Sequence, residues 1–455
     1  MEDCIPIVDV VKTKEVIDVT KCFKEKYNAD PEFYVRVPGR VNLIGEHIDY
    51  CGYPVLPMAL EQGVLLAVKP LDKPHIRLTN MDPRYPDWSG DIDTAVNLRA
   101  GGSPQWYEYV LCGVKGAAEA VDANGQPDLK NVSGFMAVVC GTVPPAAGLS
   151  SSSALVCASA LAIIKSNQLT MGKMEIAKLC AASERLIGTE GGGMDQAIAF
   201  LAELGSAQHI SWNPLRTEAV SLPDDAVFVV AHSLVEANKA ATDHYNMRVR
   251  ECKLITTRLA AIKRMDYWNS CPPIIHLPYV FSNLLNILRT GKNKLLKQEN
   301  LICGKNWTEG PKNQTSQKFL RGFHCISLFI SEALRVQKFS QLCSGWNGND
   351  RLSTLGGLMR QSHESLRYLY ECSHPALDRL VELSDNFGVH ARLTGAGWGG
   401  CIVALCPQSR AEAFVEMLMK NYYLDHPSAE KHDLKNLVFI TKPQQGAQVL
   451  LNTEE

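Results

Sequence analysis

Nowhere in this 455-residue chain do apolar residues run long enough to cross a bilayer: the longest stretch, around Ala154 to Ile164, is far short of the roughly 20 residues needed. No CxxC pair occurs, and the fifteen cysteines are odd in number and scattered, which argues against both a zinc site and a disulfide framework. Neither charge dominates: a net charge of -2 gives no reason to expect nucleic acid or an anionic membrane as partner. The lysine-bearing nucleotide loop GxxxxGK[ST] is also absent. The opening MEDCIPIVDVVKTKEV starts acidic and builds no signal-peptide core, so a cytoplasmic protein is expected. What is present is ordinary for a globular chain, 46% apolar and 21% charged, with length for about three domains or two large lobes.

The most informative stretch is GTVPPAAGLSSSSALVCASALAII, residues 141 to 164. Pro144 and Pro145 hold its entry extended, and Gly148 permits a turn that a side chain would obstruct. Ser150, Ser151, Ser152 and Ser153 then precede an apolar, helix-permissive run free of Gly and Pro. The serines therefore fall at a helix N-terminus, where unpaired N–H groups and the macrodipole favour a polyphosphate. One serine would suit a plain N-cap; four after Pro-Pro and Gly suit an anion cradle better.

Three other stretches carry chemistry. FYVRVPGRVNLIG alternates as a strand that breaks at Pro38-Gly39, and Glu46, His47, Asp49 and Tyr50 follow on a polar loop. Taken alone, that loop is equally compatible with a solvated turn. A helix over 173–187 ends at Gly188 and presents Glu184 near its C-terminus, where a carboxylate opposes the dipole and needs a reason such as a cation. The loop GTEGGGMDQ leads from it to Asp195. LTGAGWGGC matches GxGxxG at Gly395, Gly397 and Gly400, but strand-like CIVALC follows where a dinucleotide fold needs a helix, so that reading fails its context.

Together PPAAGLSSSSA, PGRVNLIGEHIDYCGYPVLPMAL and LTGAGWGGC, in that order, resemble the three motifs of the GHMP kinases, and the second resembles the galactokinase branch signature. The resemblance covers about residues 20 to 262 and 331 to 450. It implies an α+β, two-lobed fold with a mixed α/β N-terminal lobe over 1–222, a ferredoxin-like C-terminal lobe over 223–455, and the active site between them. It further implies a monomer that uses ATP and Mg2+ to phosphorylate the C1 hydroxyl of a sugar.

Carried over residue by residue, the resemblance implies phosphate binding by Gly148, Ser150, Ser151 and Ser152. Trp106 falls where an aromatic lies beside adenine, although a plain core tryptophan accounts for it equally well. Asn238 and Lys239 match nucleotide contacts, and Ser152 with Glu184 is implied as the magnesium pair. Asp195 is the implied base and Arg40 its partner; an aspartate held ionised by arginine is a weak base, so orientation and electrostatics remain an alternative to proton transfer. Glu46, His47, Asp49 and Tyr245 match positions lining the sugar. GTEGGGMDQ, SERLIG and NKAATDHYN resemble N-acetylgalactosamine kinase more than the short galactokinases, and Gly191, Gly192 and Gly193 leave room for an acetamido group or simply flexibility. Galactokinase proper, a sugar sensor without catalysis and an inactive splice product are the alternatives; the intact serine loop, Arg40 and Asp195 favour an enzyme.

From about Lys263 to Ile330 the resemblance fails. Prolines, glycines and no sustained 3.6 period beyond FSNLLNILR lead us to expect an atypical, poorly packed segment there, with a well-folded variant as the alternative, and the resemblance resumes at Ser331.

Overall fold

The computed structural model describes residues 3–92, 104–121, 132–144, 146–236, 243–262, 314–345, 350–424, 426–429 and 434–451. Its chain order begins β1 (Ile7–Asp9), α1 (Lys14–Tyr27), β2 (Phe33–Ile44), β3 (Leu56–Pro70), β4 (His75–Asn80) and β5 (Trp88–Asp91). Then come α2 (Trp106–Val121), β6 (Phe135–Gly141), α3 (Ser151–Ser166), α4 (Lys173–Ser183) and α5 (Met194–Leu201). The hairpin β7 (Ser206–Ser211) and β8 (Arg216–Ser221) precedes β9 (Ala226–His232), α6 (Asp243–Ile262), α7 (Gln314–Gly345), α8 (Arg351–Tyr368) and α9 (Pro375–Phe387). The remainder includes β10 (His390–Thr394), β11 (Cys401–Pro407), α10 (Ala411–Leu418), β12 (Val438–Thr441) and β13 (Gln448–Leu451).

Two sheets organise these elements. The first is mixed, in the order β1-β13-β2-β3-β6-β4-β5. Helix α1 covers one face through Val16, Val19 and Phe23, and a core including α2, α3 and α4 covers the other. Strand β2 is therefore buried on both faces, with Tyr34 in the first core and Phe33, Val35 and Val37 in the second, which explains its near-continuous apolar reading. Full burial of one such side chain, Phe23 for example, contributes about 1.5–3 kcal/mol. Helix α3 is buried from Ser153 to Ile164 and so runs through the interior with only its N-terminus reaching a cleft.

The second sheet is antiparallel, in the order β10-β11-β9-β12, with α-helical connections from β9 to β10 and from β11 to β12. That order and connectivity are those of a ferredoxin-like βαββαβ unit. The chain does not partition at one point: after β12 it returns, and β13 inserts between β1 and β2 of the first sheet.

Two local expectations are corrected. The strand expected to break at Pro38-Gly39 instead bulges there, with register shifts between Pro38 and Arg40 and between Asn42 and Ile44, and continues to Ile44. The bulge turns the Arg40 N–H towards the Leu149 carbonyl, 3.1 Å away, so a backbone donor leaves the ladder to hold the serine loop. The irregularity expected through Ile330 ends earlier, because α7 is one 32-residue helix from Gln314 to Gly345. The rest of the atypical segment, 263–313, lies outside the described residues.

Candidate active site

Arg40 is buried at the centre of the site. Its Nε donates to Asp195 Oδ1 at 2.7 Å and its Nη1 to the Gly148 carbonyl at 2.6 Å, so one guanidinium joins the β2 bulge, the first turn of α5 and the serine loop. Burial alone would lower the Arg40 pKa, but Asp195 and Glu46 outweigh it and raise it, keeping the cation charged.

Two clefts adjoin here, and that side chain lines the first of them. In one, Arg40, Glu46, His47, Asp49, Ser153, Glu184, Asp195 and Tyr245 come together beneath the glycine loop 191–193. The other is lined by Trp106, Gly148, Ser150, Ser151 and Ser152 together with Asn80, Asp82, Tyr85, Tyr109 and Glu236. Thr189 borders both. The expected residues thus separate into the two groups that a two-substrate reaction requires. Asn238 and Lys239 lie outside the described residues.

The serine loop reaches its helix through backbone with positive φ at Ala146, Gly148 and Ser150. Ser150 is the N-cap but makes no side-chain cap bond, and its buried Oγ has no partner among the described residues. A plain cap is thereby excluded; the hydroxyl and the helix N-terminus stand ready for an anion. Of the implied magnesium pair, Glu184 lines the first cleft and Ser152 the second. The serine bonded to Glu184 is the next one, Ser153, whose Oγ donates to Oε2 at 2.8 Å and lies 3.4 Å from Asp195 Oδ2. Gln196 also donates to Glu184 Oε2. Hydroxyl and carboxylate oxygens of this kind suit a hard divalent cation.

The loop after β2 is buried rather than solvated, and it is bonded to the second lobe. Glu46 accepts from Asn42 Nδ2 at 2.7 Å, Arg392 Nη2 at 3.0 Å and the Gly395 N–H at 2.5 Å. Burial raises its pKa against the pull of Arg392 and Arg40. His47 Nε2 faces the Ala396 carbonyl at 2.9 Å and so donates, which leaves Nδ1 of the neutral ring to accept from the Tyr50 hydroxyl at 3.0 Å. Tyr50 in turn bonds the Tyr370 hydroxyl. Tyr245 is buried against Tyr50, edge to face at 5.8 Å, and burial with Asp49 and Asp195 nearby pushes its phenol well up. Arg392, Gln196 and Tyr370 carried no signal in the sequence: each is a single polar residue in an otherwise unremarkable helix, strand or turn.

The galactokinase galactose-binding signature matches residues 21–70, the N-terminal domain of GHMP kinases residues 111–203 and their C-terminal domain residues 347–424. The galactokinase of Dictyostelium discoideum is 36% identical over 97% of this chain and 95% of its own length. The chain belongs to the galactokinase branch of the GHMP kinase superfamily. Among other members, the Saccharomyces cerevisiae galactokinase is 31% identical over 94% of this chain and 93% of its own. In structure, Lactococcus lactis galactokinase complexed with galactose superposes with a TM-score of 0.72 at 23% identity, covering 95% of this chain and 99% of that one. Methanococcus jannaschii mevalonate kinase follows the same fold at a TM-score of 0.53 and 19% identity, covering 91% and 99%. The fold is thus that of the GHMP kinases, and the protein is an ATP-dependent sugar kinase of the galactokinase branch. Among the described residues no helix is long and apolar enough to cross a membrane.

Proposed function

We propose that the protein transfers the γ-phosphoryl group of ATP to the anomeric hydroxyl of a galacto-configured sugar, N-acetylgalactosamine as well as galactose. The observation that carries this reading is the Arg40 guanidinium, bonded at once to Asp195 in the sugar cleft and to Gly148 of the serine loop. A group in that place can hold an attacking oxygen in line with a phosphate and stabilise charge on both.

In this reading Trp106 and Tyr85 flank the base, and Gly148 to Ser152 take the phosphates on the N-terminus of α3. Ser153 and Glu184 would hold Mg2+, which when bound neutralises phosphate charge. Asp195 orients the sugar hydroxyl and receives its proton as the oxygen–phosphorus bond forms and ADP leaves. Arg40 keeps that carboxylate charged and favours the incipient alkoxide. Asp49 reads the sugar hydroxyls, while Glu46 and His47, occupied by protein partners, position the loop that carries it. Buried carboxylate oxygens left unpaired by an inverted hydroxyl would make glucose a poor substrate.

Two observations bear on carbon 2. A second hollow of about 350 Å3 shares Ala181, Gly192 and Gly193 with the sugar cleft, which supports a substrate bearing an acetamido group. Not every glycine of the loop bears on this: a Cβ at Gly192 would sit 2.4 Å from Asp49 Oδ2, so Gly192 serves loop packing, whereas Gly191 faces open space. The name galactokinase on the relatives supports galactose. Assay of the purified protein with ATP, magnesium and each of N-acetylgalactosamine, galactose and glucose tests the proposal. Turnover of the first two but not glucose is expected; turnover of galactose alone would remove the acetamido assignment, and efficient glucose turnover would remove the pocket assignment.

A further inference from the structure

We propose that Glu332, on the long helix α7 of the second lobe, is a positioning residue for the sugar loop, acting through the backbone of Gly45; this rests on the sugar-kinase reading above. Glu332 is fully buried, 0% exposed, and far in sequence from every motif of the site. Its Oε1 accepts the Gly45 N–H at 2.9 Å and the Ser362 hydroxyl at 2.6 Å. Its Oε2 is held by Arg335, with Nε at 2.8 Å and Nη2 at 2.7 Å. Burial would raise this carboxyl, but Arg335, Arg392, Ser362 and the Gly45 amide together pull it below the ordinary carboxylate range, so the acceptor is an anion.

An ion pair three residues apart on one helix needs only one oxygen, and Arg335 takes that oxygen. The other is aimed across the lobe interface at one backbone N–H. That N–H belongs to Gly45, the first residue after β2, where the loop begins with φ of +104°. A second contact fixes the same point: Val336, one helical turn beyond Glu332, is so close that a Cβ at Gly45 would lie 2.9 Å from its Cγ2. One face of α7 thus grips the hinge from which Glu46, His47 and Asp49 depart. The direction of that departure places Asp49 in the cleft, whereas the nucleotide cleft is lined from other elements. Glu332 accordingly acts on sugar affinity and not on ATP affinity.

The test measures KM for the sugar, KM for ATP, kcat and Tm in the wild type, Glu332→Met, Glu332→Gln and Arg335→Met. Glu332→Met is expected to raise the sugar KM about tenfold or more, the size of one lost bond to a charged acceptor, with the ATP KM within about twofold. Glu332→Gln, which keeps an amide oxygen for Gly45, recovers most of that loss. Arg335→Met lowers Tm but leaves the sugar KM within about twofold, because Oε1 stays against Gly45. Should Glu332→Met fail to fold, the double variant Glu332→Met/Arg335→Met, which leaves no arginine stranded, is compared with Arg335→Met instead. An unchanged sugar KM in the Glu332 variants overturns the inference. So does an equal rise in both KM values, or a sugar KM that tracks Tm in Arg335→Met as it does in Glu332→Met. A wild-type protein inactive on every sugar overturns the kinase reading and this inference with it; an active one with an indifferent Glu332 overturns this inference alone.

Discussion

The second lobe touches the two substrate loops in different ways. Against the serine loop it offers backbone: the turn after β10 approaches so closely that a Cβ at Gly395 would lie 2.4 Å from the Gly148 carbonyl oxygen. Against the sugar loop it adds side chains to the backbone of Gly395 and Ala396, with Arg392 on Glu46, Tyr370 on Tyr50 and Glu332 on Gly45. A backbone contact sets one distance and tolerates no change, which suits a phosphate cradle common to many kinases. A side-chain contact can be re-cut residue by residue, which suits the part that must recognise one sugar among several.

Substitutions can break this contrast or sharpen it. The largest effect is expected at the group that joins the sugar cleft to the serine loop: Arg40→Ala should lower kcat by about 10²-fold or more, on the scale of a lost charge-stabilising donor, with Tm checking that the fold survives. Near-normal turnover would take Arg40 out of the mechanism. Next, Ser153→Ala should lower kcat more than Ser152→Ala, since Ser153 is the hydroxyl on Glu184; steady-state rates across a magnesium titration read the difference, and the reverse order would return the ion to Ser152.

Gly395→Ala should destabilise by about 1–3 kcal/mol, because it adds both a clash and a strained positive φ. Denaturant unfolding measures this, and a neutral result would show that the backbone contact has slack. Ala181→Leu tests the side-chain region for specificity: filling the hollow shared by the two cavities should cost N-acetylgalactosamine about tenfold or more in kcat/KM while sparing galactose. Equal losses on both sugars would mean that carbon 2 points elsewhere. The smallest effect concerns pH. The Glu332 carboxyl is lowered in the folded state, so the unfolded chain binds more protons and stability falls as pH drops through the ordinary carboxylate range towards the folded value. Glu332→Gln should flatten that acid limb in Tm measured against pH.

How much of this was legible in the sequence follows the same division. The glycine turn and the serine loop are built from residue types that backbone geometry demands, so their spacing announced them, whereas Pro38-Gly39 announced an irregularity but not that β2 would bulge and run on to Ile44. The apolar patterns of residues 10–27 and 105–120 and the stop at Gly388 likewise announce helices, which form over 14–27, 106–121 and 375–387. The anchors of the sugar loop were not legible. Arg392 sits in an apolar strand and Glu332 in an amphipathic helix, and nothing local distinguishes a buried, paired charge from a solvated one. Which serine faces Glu184 was not legible for a different reason: four identical residues carry no phase until the helix start is known. The return of β13 to the first sheet was also invisible, because strand order is a long-range property.

The central claim is that Arg40 and Asp195 bring a sugar's anomeric oxygen to the ATP phosphate. The most direct measurement is phosphorus–proton NMR of the product made by the wild-type enzyme from ATP and galactose or N-acetylgalactosamine. A phosphorus resonance coupled to the anomeric proton is the predicted result. Phosphate on any other carbon, or none transferred by folded protein supplied with magnesium, would contradict the account.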